Sequence, residues 1–202
     1  MEKFPNIPRH KVRLLSNYID VNSYKNEWSE DRPYNLAMIG ILPAKKNFKT
    51  ALNILKKLRE KDSRYKLFVY GKKAEDLAWL MRNEEEKKYF QSCSDFIAEN
   101  DLKDVVEFKG HCDLRQALSD DKVGYVLSLS ESVKDLPGFE SFHLAVADGY
   151  ASGGISLIKR WAGCEYIFPD FMIKDSMIDI VNFIFDLNKM DRKKFINQSA
   201  SG

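Results

Sequence analysis

A chain of 202 residues is enough for one good-sized domain or two small ones, and its 44% hydrophobic share is that of a globular protein with a real core. A formal net charge of +2 gives no reason to look for nucleic acid or another polyanion as partner. Three widely spaced cysteines (Cys93, Cys112, Cys164) with no C-x-x-C make no disulfide framework and point to a reduced, cytosolic setting.

The histidines His10, His111 and His143 lack metal-ligand spacing. No apolar run approaches the ~20 residues of a membrane span, and "MEKFPNIPRH" has no apolar core of a signal peptide.

Residues 1–33 are polar and broken by Pro5, Pro8 and Pro33, with one extended piece, "HKVRLLSNYID". They read as an entry segment or linker, and residues 34–202 as the domain. "YNLAMIGI" is short, apolar and glycine-containing, which predicts a buried strand. "KNFKTALNILKKLREK" is an amphipathic helix, with Phe48, Ala51, Leu52, Leu55 and Leu58 on one face.

Next come strand "YKLFVYG", a long polar helical region over about 74–100, strand "VVEFKG", a short helix at "LRQALS" and strand "VGYVLSLS". A helix is expected from about Phe142, capped by Ser141 and closed by Gly153 and Gly154. Strand "ISLIK" follows, then one or two helices in "SMIDIVNFIFDLNKM" and "DRKKFINQ". Repeated strand–helix units with near-continuous apolar strands predict a single α/β domain: a doubly wound parallel sheet, Rossmann-like, with helices on both faces.

Ligands of such sheets bind beyond the carboxyl ends of the strands. The segments there are "LPAKKN", "GKK", "GHCD" and "SESVKDLPGFES". A loop before a helix presents free N–H groups and a positive dipole end, which suit a phosphate. Glu140 would stand at its mouth. Asp148, two turns on, suits a ribose diol, because a carboxylate only accepts.

Against that, both carboxylates also read as ordinary solvated charges on a capped helix. Lys45 and Lys46 at the first strand–helix junction serve either a diphosphate or only the surface. His111 is placed to touch a base or sugar, or is merely solvated. His143 donates to a sugar hydroxyl, or packs.

From about Val12 to Phe171 the chain resembles the C-terminal half of family-4 glycosyltransferases of the GT-B fold. That family has an E-x7-E motif before A-x-G, and "FESFHLAVADGYASGG" matches it with Glu140 and Asp148. Its G-R-L-x-x-x-K-N segment reads "GILPAKKN", Gly40 to Asn47. Its x-F-x-G strand end matches "VEFKG", ending on Gly110, and its I-x-N-G-x-D entry matches "LLSNYID" loosely. The "ESFHLA…ASG" run is similar to a bacterial subgroup linked to surface-polysaccharide assembly.

The resemblance implies a retaining transferase that moves a hexose-type sugar from a nucleotide diphosphate sugar to a saccharide or lipid-linked acceptor, without a metal or other cofactor. No D-x-D is present. It implies Glu140 and Lys46 as catalytic residues. The donor site would comprise Gly40, Lys45, Lys46, Gly71, Gly110, His111, Glu140, Ser141, Phe142, His143 and Asp148.

It also implies an acceptor-binding N-terminal domain, which nothing in these residues resembles. Peripheral contact with the inner face of a membrane would run through that domain. The expected location is cytoplasmic, and the residues alone are expected to be inactive in transfer.

Three departures stand out. The motif arginine is Ile41, the second glutamate is Asp148, and the usual G-V-P-V-I strand is "GGISLI". They keep open a second class, a non-catalytic nucleotide-binding or interaction module on the same fold.

Overall fold

The computed structural model describes residues 18–131, 144–189 and 192–199. Six strands form one sheet: β1 (Asn35–Ile39), β2 (Lys66–Tyr70), β3 (Val106–Gly110), β4 (Tyr125–Ser128), β5 (Ile155–Lys159) and β6 (Ile173–Lys174). Their order is β3-β2-β1-β4-β5-β6, and every neighbouring pair is parallel. The register sets Leu36 beside Leu67 on one side and Tyr125 on the other, with Tyr125 beside Ile155.

Between and after the strands lie α1 (Phe48–Arg59), α2 (Glu84–Glu99), α3 (Leu114–Asp120), α4 (Leu144–Ala151), α5 (Met177–Asn188) and α6 (Arg192–Ser199). The two-residue periodicity of a strand splits β1 between two cores. Leu36 and Met38 join the larger core, with α1, α2 and α5. Ala37 joins the other face, with Leu118 of α3 and Val126 of β4. Helices on both faces explain why the strand interiors are apolar on both sides.

The apolar stripe expected on α1 is buried as a whole, and Ile54 is buried with it. Ser176 caps α5 by accepting from the Asp179 N–H, while Asp179 accepts from the Ser176 N–H.

The polar stretch 74–100 is not one helix. It opens with a 3-10 turn, Ala74–Asp76, and α2 starts only at Glu84, where Asn83 accepts from the N–H groups of Glu85 and Glu86. Of its sixteen residues only Phe90 and Cys93 are fully buried, so its pattern carries little helical signal. Strand β6 is unforeseen, because two residues offer no periodicity. Residues 10–17 of the expected extended piece, and the expected Ser141 cap, lie outside the described residues.

From Tyr24 onward the entry segment is fastened to the domain. Trp28 meets Phe195 of α6 edge-on at 5.5 Å, and the Lys122 ammonium reaches Asp31 at 2.6 Å. Arg32, 1% exposed, donates from Nη2 to the Ser152 carbonyl at 2.7 Å.

Candidate functional site at the strand-order switch

Strand order reverses between β1 and β4, and there the loops that follow them part. A cleft of about 230 Å³ lies at this point. Gly40, Lys46, Ser128, Ser130, Leu144, Ala145 and Asp148 are among its walls. Residues more than a hundred positions apart, Lys46 and Asp148, thus share one cavity.

The sequence builds each wall locally. Gly40, Gly71 and Gly110 end three neighbouring strands with positive φ of 73°, 105° and 69°. The Gly40 N–H donates to the Tyr70 carbonyl (2.8 Å), and the Gly71 N–H to that of Gly110 (2.7 Å). This ledge of bare backbone leaves room beside the cleft. After it a 3-10 turn, Ala44–Lys46, leads to Asn47 in the left-handed region (φ 62°), which starts α1.

The turn is pinned from two sides. The Ala44 N–H donates to Glu86 Oε2 at 2.9 Å, and the Glu131 N–H donates to the Lys45 carbonyl at 2.9 Å. Lys46 therefore sits at the cleft on a fixed backbone, while Lys45 is tied to the β4 loop by its main chain.

Helix α4 supplies the facing wall. Gly149 lets it approach the sheet closely. A Cβ there would lie 2.5 Å from Val126 Cγ2 and 2.7 Å from Ser156 Oγ. The Ser156 hydroxyl donates to the Val146 carbonyl at 2.8 Å and holds the helix down. Leu144 and Ala145 line the cleft, so the first described turn of α4, its positive dipole end, faces it.

Asp148 is half-buried, and burial raises its carboxyl above the usual aspartate range. A hydrogen bond that Tyr24 Oη donates to Oδ1 pulls it partly back. Tyr24 is itself raised, first by burial and then by that bond. At the ends of β4 and β5, Glu131 pairs with Lys159, whose ammonium burial depresses.

The structure therefore brings Gly40, Lys46 and Asp148 together. Gly71, Gly110 and His111 lie along the same edge but not among the cleft walls, and His111 is exposed. Glu140, Ser141, Phe142 and His143 lie outside the described residues. Ile41, where the resemblance expects an arginine, is 2% exposed and packed in the core, so no cation comes from that position. Sequence reasoning missed Tyr24, Ser128 and Ser130. The "SLSE" run at the end of β4 was a visible signal for the serines, whereas nothing local marked Tyr24.

A larger cavity, about 400 Å³, lies under α1 and α2. Phe48, Phe90, Phe108, Ile97 and Ile41 dominate it, and burial pushes the Cys93 thiol there up to about 11. Its charges are Lys73 and Glu75, one of each sign, which suits a diphosphate poorly. Among the described residues no three His, Cys, Asp or Glu side chains are grouped as metal ligands, and no helix is long and apolar enough to cross a membrane.

Solved structures share this architecture. The C-terminal domain of a group 1 family glycosyl transferase, LpcC from Francisella tularensis, superposes with a TM-score of 0.65 over 90% of this chain and 93% of that one, at 14% identity. This is the fold of the C-terminal half of a GT-B glycosyltransferase.

The Anabaena protein HepE, in complex with UDP and glucose, gives a TM-score of 0.71 at 14% identity, over 93% of this chain and 50% of that one. The pneumococcal O-GlcNAc transferase GtfA, in complex with UDP and GlcNAc, gives 0.64 at 18% identity, over 99% and 38%. The chain thus spans about half the length of HepE. No family model and no curated protein matches its sequence.

Proposed function

We propose that this domain binds the nucleoside diphosphate sugar donor of a glycosyltransferase. The observation that carries the reading is the convergence of Lys46, Asp148 and the head of α4 on one cleft at the strand-order switch. HepE and GtfA, which share the fold, are described with UDP and a sugar.

In this reading the Lys46 ammonium and the α4 dipole take the charge of the diphosphate, including the charge that grows on it as the sugar leaves. Asp148 accepts from the ribose. Glu140 would stand beside the donor sugar. Lys45 would add a second positive charge near the diphosphate, His111 would touch the base or the sugar, Gly71 and Gly110 would line the donor site, and Ser141, Phe142 and His143 would meet the phosphate or sugar.

Retention at the anomeric carbon, a hexose donor, family-4 membership, independence of metal, a role in surface-polysaccharide synthesis and a cytoplasmic site complete the proposal. A protein that also carries the acceptor-binding half would perform the transfer, and this domain alone would perform none.

Calorimetric titration with UDP, GDP and ADP tests the reading. Saturable binding of one of them is expected, and binding of none overturns it.

The buried, uncharged Ile41 favours a second reading, a nucleotide-binding module without catalysis. Binding without transfer in a protein that carries both halves would select it.

A further inference from the structure

The Asp148 carboxylate is not wholly at the disposal of a ligand. Tyr24 comes from the entry segment, 124 residues away in sequence, and its hydroxyl donates to Oδ1. No described residue donates to Oδ2. The carboxylate belongs to a cleft wall, and Tyr24 does not.

From this geometry we infer that Tyr24 is a positioning residue that commits one oxygen of Asp148, so that the site reads a single hydroxyl of the nucleotide's ribose through the other. The inference rests on the nucleotide-binding reading of the cleft.

The chain just after Tyr24 is fastened to the domain. The Lys25 N–H donates to the Arg115 carbonyl at 3.2 Å. Asn26 packs against Gly153, where a Cβ would lie 2.0 Å from Asn26 Oδ1. These contacts fix the backbone from which the phenol reaches Asp148.

A carboxylate has room to accept from both hydroxyls of a diol, one at each oxygen. With the phenol already on Oδ1, Oδ2 is the oxygen that keeps both of its acceptor sites open. The charged groups around the pair are Arg115 and Asp113 at the head of α3, which act on Tyr24, and Lys46 across the cleft. The phenol donor also opposes the upward pull of burial on the Asp148 carboxyl.

The experiment uses the tightest binder among UDP, GDP and ADP, together with its 2′-deoxy and 3′-deoxy forms, measured by calorimetry across pH. In the parent, one deoxy form is expected to bind as the ribonucleotide does. The other is expected to lose roughly ten-fold, the worth of one charge-assisted hydrogen bond. In Tyr24→Phe both deoxy forms should lose affinity, because both oxygens are open. The acid limb of the affinity should also move to higher pH, a change that a merely structural phenol would not produce.

If the parent binds a diphosphate but loses equally with both deoxy forms, or with neither, the inference falls and the nucleotide reading stands. The inference falls in the same way if Tyr24→Phe keeps the parent's pattern and pH profile. If no diphosphate binds, both fall. Should Tyr24→Phe fail to fold, the parent's selectivity for one hydroxyl still decides the matter.

Discussion

Gly149→Ala sets two effects of opposite sign against each other. Replacing a mid-helix glycine by alanine stabilises a helix by about 1 kcal/mol. The new Cβ, however, would lie 2.5 Å from Val126 Cγ2, 2.8 Å from Val126 Cβ and 2.7 Å from Ser156 Oγ. Carbon atoms rest at roughly 3.5–4.0 Å, so α4 must retreat from β4 by about an ångström.

Overpacking of this kind costs about 2 kcal/mol. The retreat also stretches the bond from the Ser156 hydroxyl to the Val146 carbonyl, worth about 1 kcal/mol. The net loss is about 2 kcal/mol, which in a domain of this size lowers Tm by about 4–8 °C. Urea unfolding gives the free energy and a thermal melt the shift. Because Asp148 precedes the contact, nucleotide affinity should fall as well. A variant as stable as the parent, or more so, would show that helix propensity is unopposed and that α4 does not sit on the sheet as described.

Lys46→Ala should weaken nucleoside diphosphate binding by about 1.5–3 kcal/mol and leave the nucleoside unaffected, as calorimetry would show; a larger loss in Lys45→Ala would mean the other lysine faces the ligand. Burial raises the Asp148 carboxyl, so at pH values between the ordinary aspartate range and the raised one the folded state binds its proton more tightly than the unfolded chain does. Stability from this group is therefore present in acid and lost as pH rises from the ordinary aspartate value through the raised one. Asp148→Asn should accordingly be the more stable protein at neutral pH, with the gap closing on acidification in urea melts, even as nucleotide binding weakens. Arg32→Ala removes a buried stem and strands the Ser152 carbonyl, a loss of about 2–4 kcal/mol; less than 1 kcal/mol in urea unfolding would contradict the packing.

Much of this was legible in the residues. Strands β1 to β5 announced themselves, because a buried parallel strand is a short apolar run, and α1 did so by its stripe. The stretch 74–100 misled, since a half-exposed helix and a chain of turns look alike when few positions are buried. Gly40, Lys46 and Asp148 were readable from the rule that ligands meet the carboxyl ends of strands and from motif spacing. Their convergence depends on sheet order, which no single window shows. Tyr24 was invisible for the same reason, as its partner lies 124 residues on.

The entry segment has a practical consequence for anyone grafting this domain onto another protein. Tyr24, Trp28 and Arg32 come before the first strand, yet they are fastened to α4, to α6 and to the turn after α4. A seam cut at Pro33 would hand all three to the foreign partner and leave holes in the recipient. A seam placed before Asp20 carries them along with the sheet they serve.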